Sequence, residues 1–336
     1  MRTKKKKEIL IEEEGGGLVF AEGIFGLCVG DSIQFDTEKL VSYSQYAKFK
    51  KCPKSWELRY VRKHRVPEQN IYFVYGTAMH ETIQEMLYVC YKKAVKKAKE
   101  TDWNAIFLNK LKTLYTKDID ELGGVHYSSK EELAEFYHDG CQILKYILKK
   151  RTTYFSSKNT TLVGIEIPIF IAPDPSRPTI KLQSHLDLVF YNKVSGKYRI
   201  IDIKTARNGW NKYKRQDKTV TNQLVLYKKY FCEKFGIDPE KVDIEYFIVR
   251  QKIDEDSLWP IPRVSQFKPA SGKVSIKRVE KDFQYFIDSC FDKSGEYLDI
   301  SHQALQGKRE NWNCKFCNYN DRHDLCPPDE RVIGEL

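Results

Sequence analysis

From Val41 onward, apolar and polar residues recur with a helical period. Phe49, Cys52, Trp56 and Tyr60 follow one another at steps of three and four, the repeat of one face of an α-helix. Ser44 stands where an N-cap is expected, and Pro53 is expected to break the turn after Cys52. Further helices are predicted over 77–99, 103–122 and 130–151. The pattern then changes to runs rich in Ile, Leu and Val at Thr161–Ile171, Lys181–Tyr191 and Lys197–Thr205, which predict strands. Pro-Asp-Pro-Ser-Arg-Pro at 173–178 reads as the loop between the first two. A helix over 221–235, a strand over 242–251 and a helix over 275–298 complete the series; Ile276, Val279, Phe283, Phe286 and Cys290 form one apolar stripe on the last. Helices before, between and after a small sheet predict an α/β fold with a long helical insertion ahead of a hairpin.

Charge interrupts the apolar strands at Leu186-Asp187-Leu188 and Ile200-Ile201-Asp202-Ile203. The turn-like Lys193-Val194-Ser195-Gly196 would pair Asn192 with Lys197 and so set Asp187 opposite Asp202, roughly 5 Å apart by cross-strand geometry. Lys204 points the same way as Asp202, with Ile203 turned into the core. An Asp-x-Lys tripeptide by itself is most often a solvated ladder. Here the flanks are apolar, and ionised groups are rarely buried unless paired or bound to metal. Two carboxylates at that distance repel unless something compensates, and a divalent cation with oxygen ligands is the usual compensation. Glu166 sits between Ile165 and Ile167 and is expected to point away from the face they bury. An edge-strand carboxylate and a role in positioning a second metal or its water both stay open for it.

Composition narrows the partners. The 336 residues can bury a full core. Lys+Arg 57 against Asp+Glu 46 gives a net charge of +11, which favours a polyanionic partner without establishing one. The longest candidate for a membrane span, Ile165–Ala172, is broken by Glu166 and Pro168 and falls short of the ~20 apolar residues required. Lys4–Lys7 is followed by Glu12-Glu13-Glu14 rather than an apolar signal core, so a soluble, intracellular protein is expected. Residues 1–40, with these charge blocks and Gly15-Gly16-Gly17, are expected to be mobile or loosely attached. The lysine run reads first as a solvated tail and second as a DNA contact. Nine cysteines without a secretory signal argue against a disulfide framework, whereas Cys314-Lys-Phe-Cys317 with Cys326 has the spacing of metal-centre ligands. There is no Gly-x-x-x-x-Gly-Lys-[Ser/Thr] phosphate loop, so any helicase is expected to be a separate partner.

Several of these residues carry a resemblance. Asp187 with Asp202-Ile203-Lys204 resembles the core motif of the PD-(D/E)xK nuclease superfamily. Gly76-Thr77-Ala78-Met79-His80-Glu81 is similar to the upstream histidine motif of its RecB-like branch, and Gln223-Leu224-Val225-Leu226-Tyr227 to the downstream Gln-x-x-x-Tyr motif. Ser42-Tyr43-Ser44 through Cys52-Pro53, with Cys314, Cys317 and Cys326, is similar to the iron–sulfur members, which include Cas4-like exonucleases and the AddB and Dna2 nuclease domains. Order and spacing agree from about Val41 to Pro328. Two positions depart: Ser184 stands where the family often has Gly, and the gap from Cys317 to Cys326 is longer than in many relatives.

The resemblance implies a restriction-endonuclease-like core, a small mixed central sheet flanked by helices. It implies a nuclease domain over 41–328, with 41–60 and 311–328 forming a cysteine clasp and 329–336 a C-terminal tail. A Mg²⁺ or Mn²⁺ ion would be held by His80, Asp187, Asp202 and the main-chain carbonyl of Ile203, with Lys204 beside the attacking water and Gln223 and Tyr227 positioning substrate or water. Cys52 would join Cys314, Cys317 and Cys326 around a [4Fe–4S] cluster, with zinc as the alternative occupant. Cys28, Cys90, Cys141, Cys232 and Cys290 need no special role. The implied activity is a metal-dependent DNA nuclease, an exonuclease at single-stranded ends in recombination, repair or replication. The alternative is a weakly active DNA-binding subunit of a recombination or CRISPR-adaptation complex, against which intact Asp187, Asp202 and Lys204 speak.

Overall fold

The computed structural model describes residues 39–66, 69–155, 159–253, 258, 261–309 and 312–336. Residues 1–38 of the segment expected to be mobile, lysine run included, lie outside the described residues. Its last two residues open a short strand, β1 (Lys39–Val41), which three residues are too few to announce by period. Helix α1 (Tyr43–Lys51) follows, capped by Ser42, whose hydroxyl accepts the Gln45 N–H, and not by Ser44, which is already helical. The chain extends at Cys52 and turns into α2 (Pro53–Trp56) with Pro53 in the first position, where no N–H is needed.

The helical insertion comprises α3 (Ile71–Tyr88), α4 (Val95–Glu100), α5 (Trp103–Glu121) and α6 (Lys130–Tyr154). The single helix expected over 77–99 starts earlier, at an Asn70 cap, and is divided at Ala94, where the backbone is extended. Strands β2 (Thr160–Ile171), β3 (Ile180–Asn192) and β4 (Lys197–Ala206) lie where the apolar runs put them. Then come α7 (Lys212–Gln216), α8 (Lys218–Phe235), β5 (Val242–Arg250), β6 (Val264–Phe267) and α9 (Lys273–Cys290). The last helix stops eight residues before its expected end, because the Asp292 carboxylate folds the chain into a turn by accepting the N–H groups of Ser294 and Glu296.

The sheet is mixed and flanked by helices, as expected. Along it the order is β1-β3-β4-β5-β6, with β2 also paired to β3. β2 runs antiparallel along one edge of β3 from Leu182 to Asn192. The other edge is shared: β1 pairs in parallel at Ile180–Leu182, and β4 pairs antiparallel at Leu188–Asn192. The fork between β1 and β4 opens beside Asp187. One face of the sheet packs on α1, α8 and α9 through residues such as Ile200, Ile244, Leu224 and Phe283. The other packs on α3, α5 and α6 through Ile201, Phe247, Met79 and Phe107.

Two short strands, β7 (Ala304–Leu305) and β8 (Arg331–Val332), pair in parallel within the C-terminal region, so residues 329–336 include a strand. That region is tied to the first helices: Lys54 N–H donates to Gln303 O, Asn313 Nδ2 to Lys51 O, and Tyr319 Oη to His64 O. Among the described residues, no helix is long and apolar enough to cross a membrane.

Candidate active site

The hairpin pairs Asn192 with Lys197, and the ladder runs as far as Leu188 with Ile201. Its register carries Asp187 opposite Asp202, as the turn length predicted. Instead of a further backbone rung, Asp187 Oδ2 accepts the Ile203 N–H at 2.6 Å. The side-chain alternation changes face at the same point. Leu186 packs in the core beneath α8 and α9, whereas Leu188 packs in the core beneath α3.

The neighbouring strand does likewise. Ile165 and Ile167 lie in opposite cores, with Glu166 between them at φ +52°. This corrects the expectation that both isoleucines bury one face with Glu166 on the other. A left-handed φ is uncommon for a residue with a Cβ and costs roughly 1–3 kcal/mol. Here it turns the Glu166 carboxylate towards His80 and Gln84.

Helix α3 reaches this point because Gly76 lets it approach β4. A Cβ there would fall 3.0 Å from Thr205 Oγ1. One turn further on, His80 Nε2 lies 2.9 Å from Asp187 Oδ2, and Nδ1 lies 4.0 Å from a Glu166 oxygen. Gln84, four residues on and so on the same helix face, donates to Glu166 and to the main-chain oxygen of Asp187. Its i, i+4 spacing from His80 was the sequence signal for this bracing role, which the strand-centred reading missed.

Burial and charge compete across the cluster. Burial works against a charge on His80, but Asp187 and Glu166 outweigh it and push the imidazole pKa up to about 9. Burial also opposes the Asp187 charge; His80, Lys204 and the Ile203 N–H prevail, and its pKa falls below the ordinary carboxylate value. Asp202 is only 3% exposed, and burial with the nearby Asp187 raises its pKa. Burial, then Asp187, raises Glu166 too. The Lys204 ammonium lies 2.8 Å from Asp202 Oδ2. Burial would depress its pKa, but Asp202 and Asp187 raise it and hold it charged.

One ligand atom each from His80, Glu166 and Asp187 lies within 4.8 Å of the others. Asp202 stands outside that trio, and its buried Oδ2 has the Lys204 charge beside it but no partner in hydrogen-bonding geometry. One imidazole nitrogen with several carboxylate oxygens is a donor set that fits a divalent cation. A family model of the PD-(D/E)XK nuclease superfamily matches residues 40–326. The chain belongs to the PD-(D/E)XK nuclease superfamily. No curated protein matches it. Membership agrees with the mixed sheet flanked by helices, which is consistent with a restriction-endonuclease-like fold, and implies a nucleic-acid substrate.

In this nuclease-superfamily chain the two downstream motif residues come together on α8. Gln223 Nε2 donates to Tyr227 Oη at 3.0 Å. Tyr227 is buried, and burial, with a smaller push from Asp202, outweighs the Gln223 hydrogen bond and raises its phenol pKa to about 12. Ile203 has its side chain in the α3-side core and its N–H on Asp187. A separate pocket, lined by none of these residues, brings together Cys52, Cys314, Cys317 and Cys326 with Ser55, Leu305 and Arg331. All four are free thiols, and Cys52 Sγ accepts the Leu305 N–H at 3.4 Å.

Proposed function

We propose that this chain is a metal-dependent DNA nuclease of the RecB-like branch, hydrolysing phosphodiester bonds as an exonuclease at single-stranded ends. The observation that carries the reading is the convergence of His80, Glu166, Asp187, Asp202 and Lys204 where β3 and β4 part. His80, Glu166 and Asp187, with Asp202 and the main-chain carbonyl of Ile203, would hold Mg²⁺ or Mn²⁺. Such a cation supplies Lewis acidity towards water and phosphoryl oxygens.

The chain's own residues do the rest. The Ile203 N–H and Gln84 fix the Asp187 and Glu166 carboxylates, so the site needs little rearrangement. Lys204, 2.8 Å from Asp202, orients or helps deprotonate the attacking water or donates to a phosphoryl oxygen. The Gln223–Tyr227 pair positions the strand to be cut. The test is digestion of end-labelled single- and double-stranded DNA with and without Mn²⁺ or Mg²⁺. Stepwise loss from single-stranded ends only when metal is present is expected; internal fragments as first products would remove the exonuclease reading, and no cleavage would remove the nuclease reading.

We also propose that residues 41–328 work as one nuclease unit closed by a [4Fe–4S] clasp, with Cys52, Cys314, Cys317 and Cys326 as ligands. Support comes from the shared pocket, the N–H donor aimed at Cys52 and the absence of disulfides among the described cysteines.

A further inference from the structure

At the carboxyl end of β5, Arg250 and, on the connecting helix, Arg215 carry buried guanidinium nitrogens that have no hydrogen-bond partner among the described residues. Arg250 is the register partner of Ala206 on β4, two residues beyond the pairing of Lys204 with Ile248. Side chains two apart on a strand share a face, so Arg250 lies on the face of Asp202 and Lys204. Strand rise and spacing put its Cα about 8 Å from that of Lys204. Arg215, on α7, rests its guanidinium carbon 5.7 Å from the Phe267 ring centre.

Arg250 Nε and Nη1 and Arg215 Nε are buried and have no hydrogen-bond partner among the described residues. Burial, and then the charge of Arg215, lowers the pKa of Arg250. Gly209, at φ +77°, gives the Arg250 side chain its room: a Cβ there would fall 2.8 Å from Nη2. The connecting segment 206–216 adds Arg207, Lys212 and Lys214 and contains no acidic residue. Unpaired buried donors and adjacent like charges are both unfavourable, and a single anion between the guanidinium groups relieves both. Phosphate suits their planar fork.

We propose that Arg215 and Arg250 form a clamp for a backbone phosphate of the DNA strand, next to the scissile one. The identity of the anion rests on the nuclease reading; the unpaired guanidinium pair does not. Sequence inspection passes over both residues because nothing local marks a cation whose partner is missing.

The test is anisotropy of a fluorescent single-stranded oligodeoxynucleotide in EDTA across a salt series, with wild type, Arg250→Gln, Arg215→Gln and Arg250→Lys. Each glutamine variant is expected to bind about tenfold more weakly and to lower the salt slope by about 0.7, the value for one single-strand phosphate contact. Arg250→Lys should keep the slope. A neutral methylphosphonate moved along the oligonucleotide should cost wild type the same factor at one position and cost Arg250→Gln nothing there. Wild-type affinity and slope in both glutamine variants overturn the clamp, as does a methylphosphonate penalty that persists in Arg250→Gln. Competition by inorganic phosphate with no methylphosphonate effect would mark a free-anion site and also overturn it. If Arg250→Gln does not melt cooperatively, Arg215→Gln and the methylphosphonate series on wild type decide. Wild type that binds the oligonucleotide but never cuts it removes the nuclease reading and leaves the clamp. Cleavage and binding unaltered in the variants remove the clamp alone, and wild type that binds no DNA removes it outright.

Discussion

Glu166 joins backbone strain to chemistry at a single residue. Its left-handed backbone switches the face of β2 and turns a carboxylate into the cluster, a conformation that only tertiary structure could enforce. Glu166→Ala and Glu166→Gly both remove the carboxylate, and each is expected to weaken Mn²⁺ binding in a calorimetric titration. They should differ in stability, because glycine adopts φ > 0 without strain. The Gly variant should be about 1 kcal/mol more stable than the Ala variant in urea; equal midpoints would mean the strain is absent in solution. Lys204→Ala makes the complementary prediction. The ammonium acts on charge that develops at the transition state but is one of many cations for the backbone. Turnover should therefore fall at least about 10²–10³-fold while oligonucleotide affinity stays near wild type. Wild-type-like turnover would take Lys204 out of the site.

At the scale of elements, the sequence showed most where side chains repeat with a period. The three apolar runs became β2, β3 and β4 within a residue or so, and the hairpin register followed from the turn length alone. What stayed hidden is not local. β1 and β6 are three and four residues long and gain their identity from a neighbour. The face change at Glu166 and Asp187 requires two strands at once, and Gln84 acquires its role only when α3 lies across β2. Glu57 is another case. On the π-helical turn Glu57–Val61 its buried carboxylate accepts the His302 N–H at 2.8 Å and pairs with Arg62 and Lys54. Burial works to raise its pKa, but these three partners outweigh it and hold it below the ordinary value. The unfolded state therefore takes up the proton first as pH falls. The stabilisation is complete above the unfolded value of about 4.3 and is lost as pH drops through the lower folded value. Glu57→Gln should lose about 1–3 kcal/mol at pH 7, since buried cationic and amide donors lose their acceptor, and less at pH 3.5. Urea midpoints at the two pH values check this; an equal loss at both would exclude the carboxylate charge as the cause.

For the whole molecule, the decisive contact is between the beginning and the end of the described chain. Cys52 and Cys314 are far apart in sequence yet line one pocket with Cys317 and Cys326. Joining them through one cluster would close a very long loop and restrict the unfolded chain, although the entropy of closure grows only slowly with length. Ligation contributes more, because a bound native state couples metal affinity to folding. Burial raises the thiol pKa of both Cys52 and Cys314. Thiols held that way without a positive centre are protonated and poor ligands, so a cluster would have to be inserted as thiolates form around it. Protein purified without oxygen is therefore expected to be brown, with about four irons per chain for a Cys₄ cubane cluster. Cys52→Ala should lose the colour and melt at lower temperature. Cys232 lies in the sheet core, away from the pocket, with its pKa pushed up to about 11 by burial, and Cys232→Ala should keep both colour and iron. Stoichiometric zinc with negligible iron in the anaerobic protein would replace the cluster by a Cys₄ zinc site. A full cluster in Cys52→Ala would leave the long loop unclosed by metal, and the cohesion of the two ends would then rest on hydrogen bonds such as those of Lys54, Glu57, Asn313 and Tyr319.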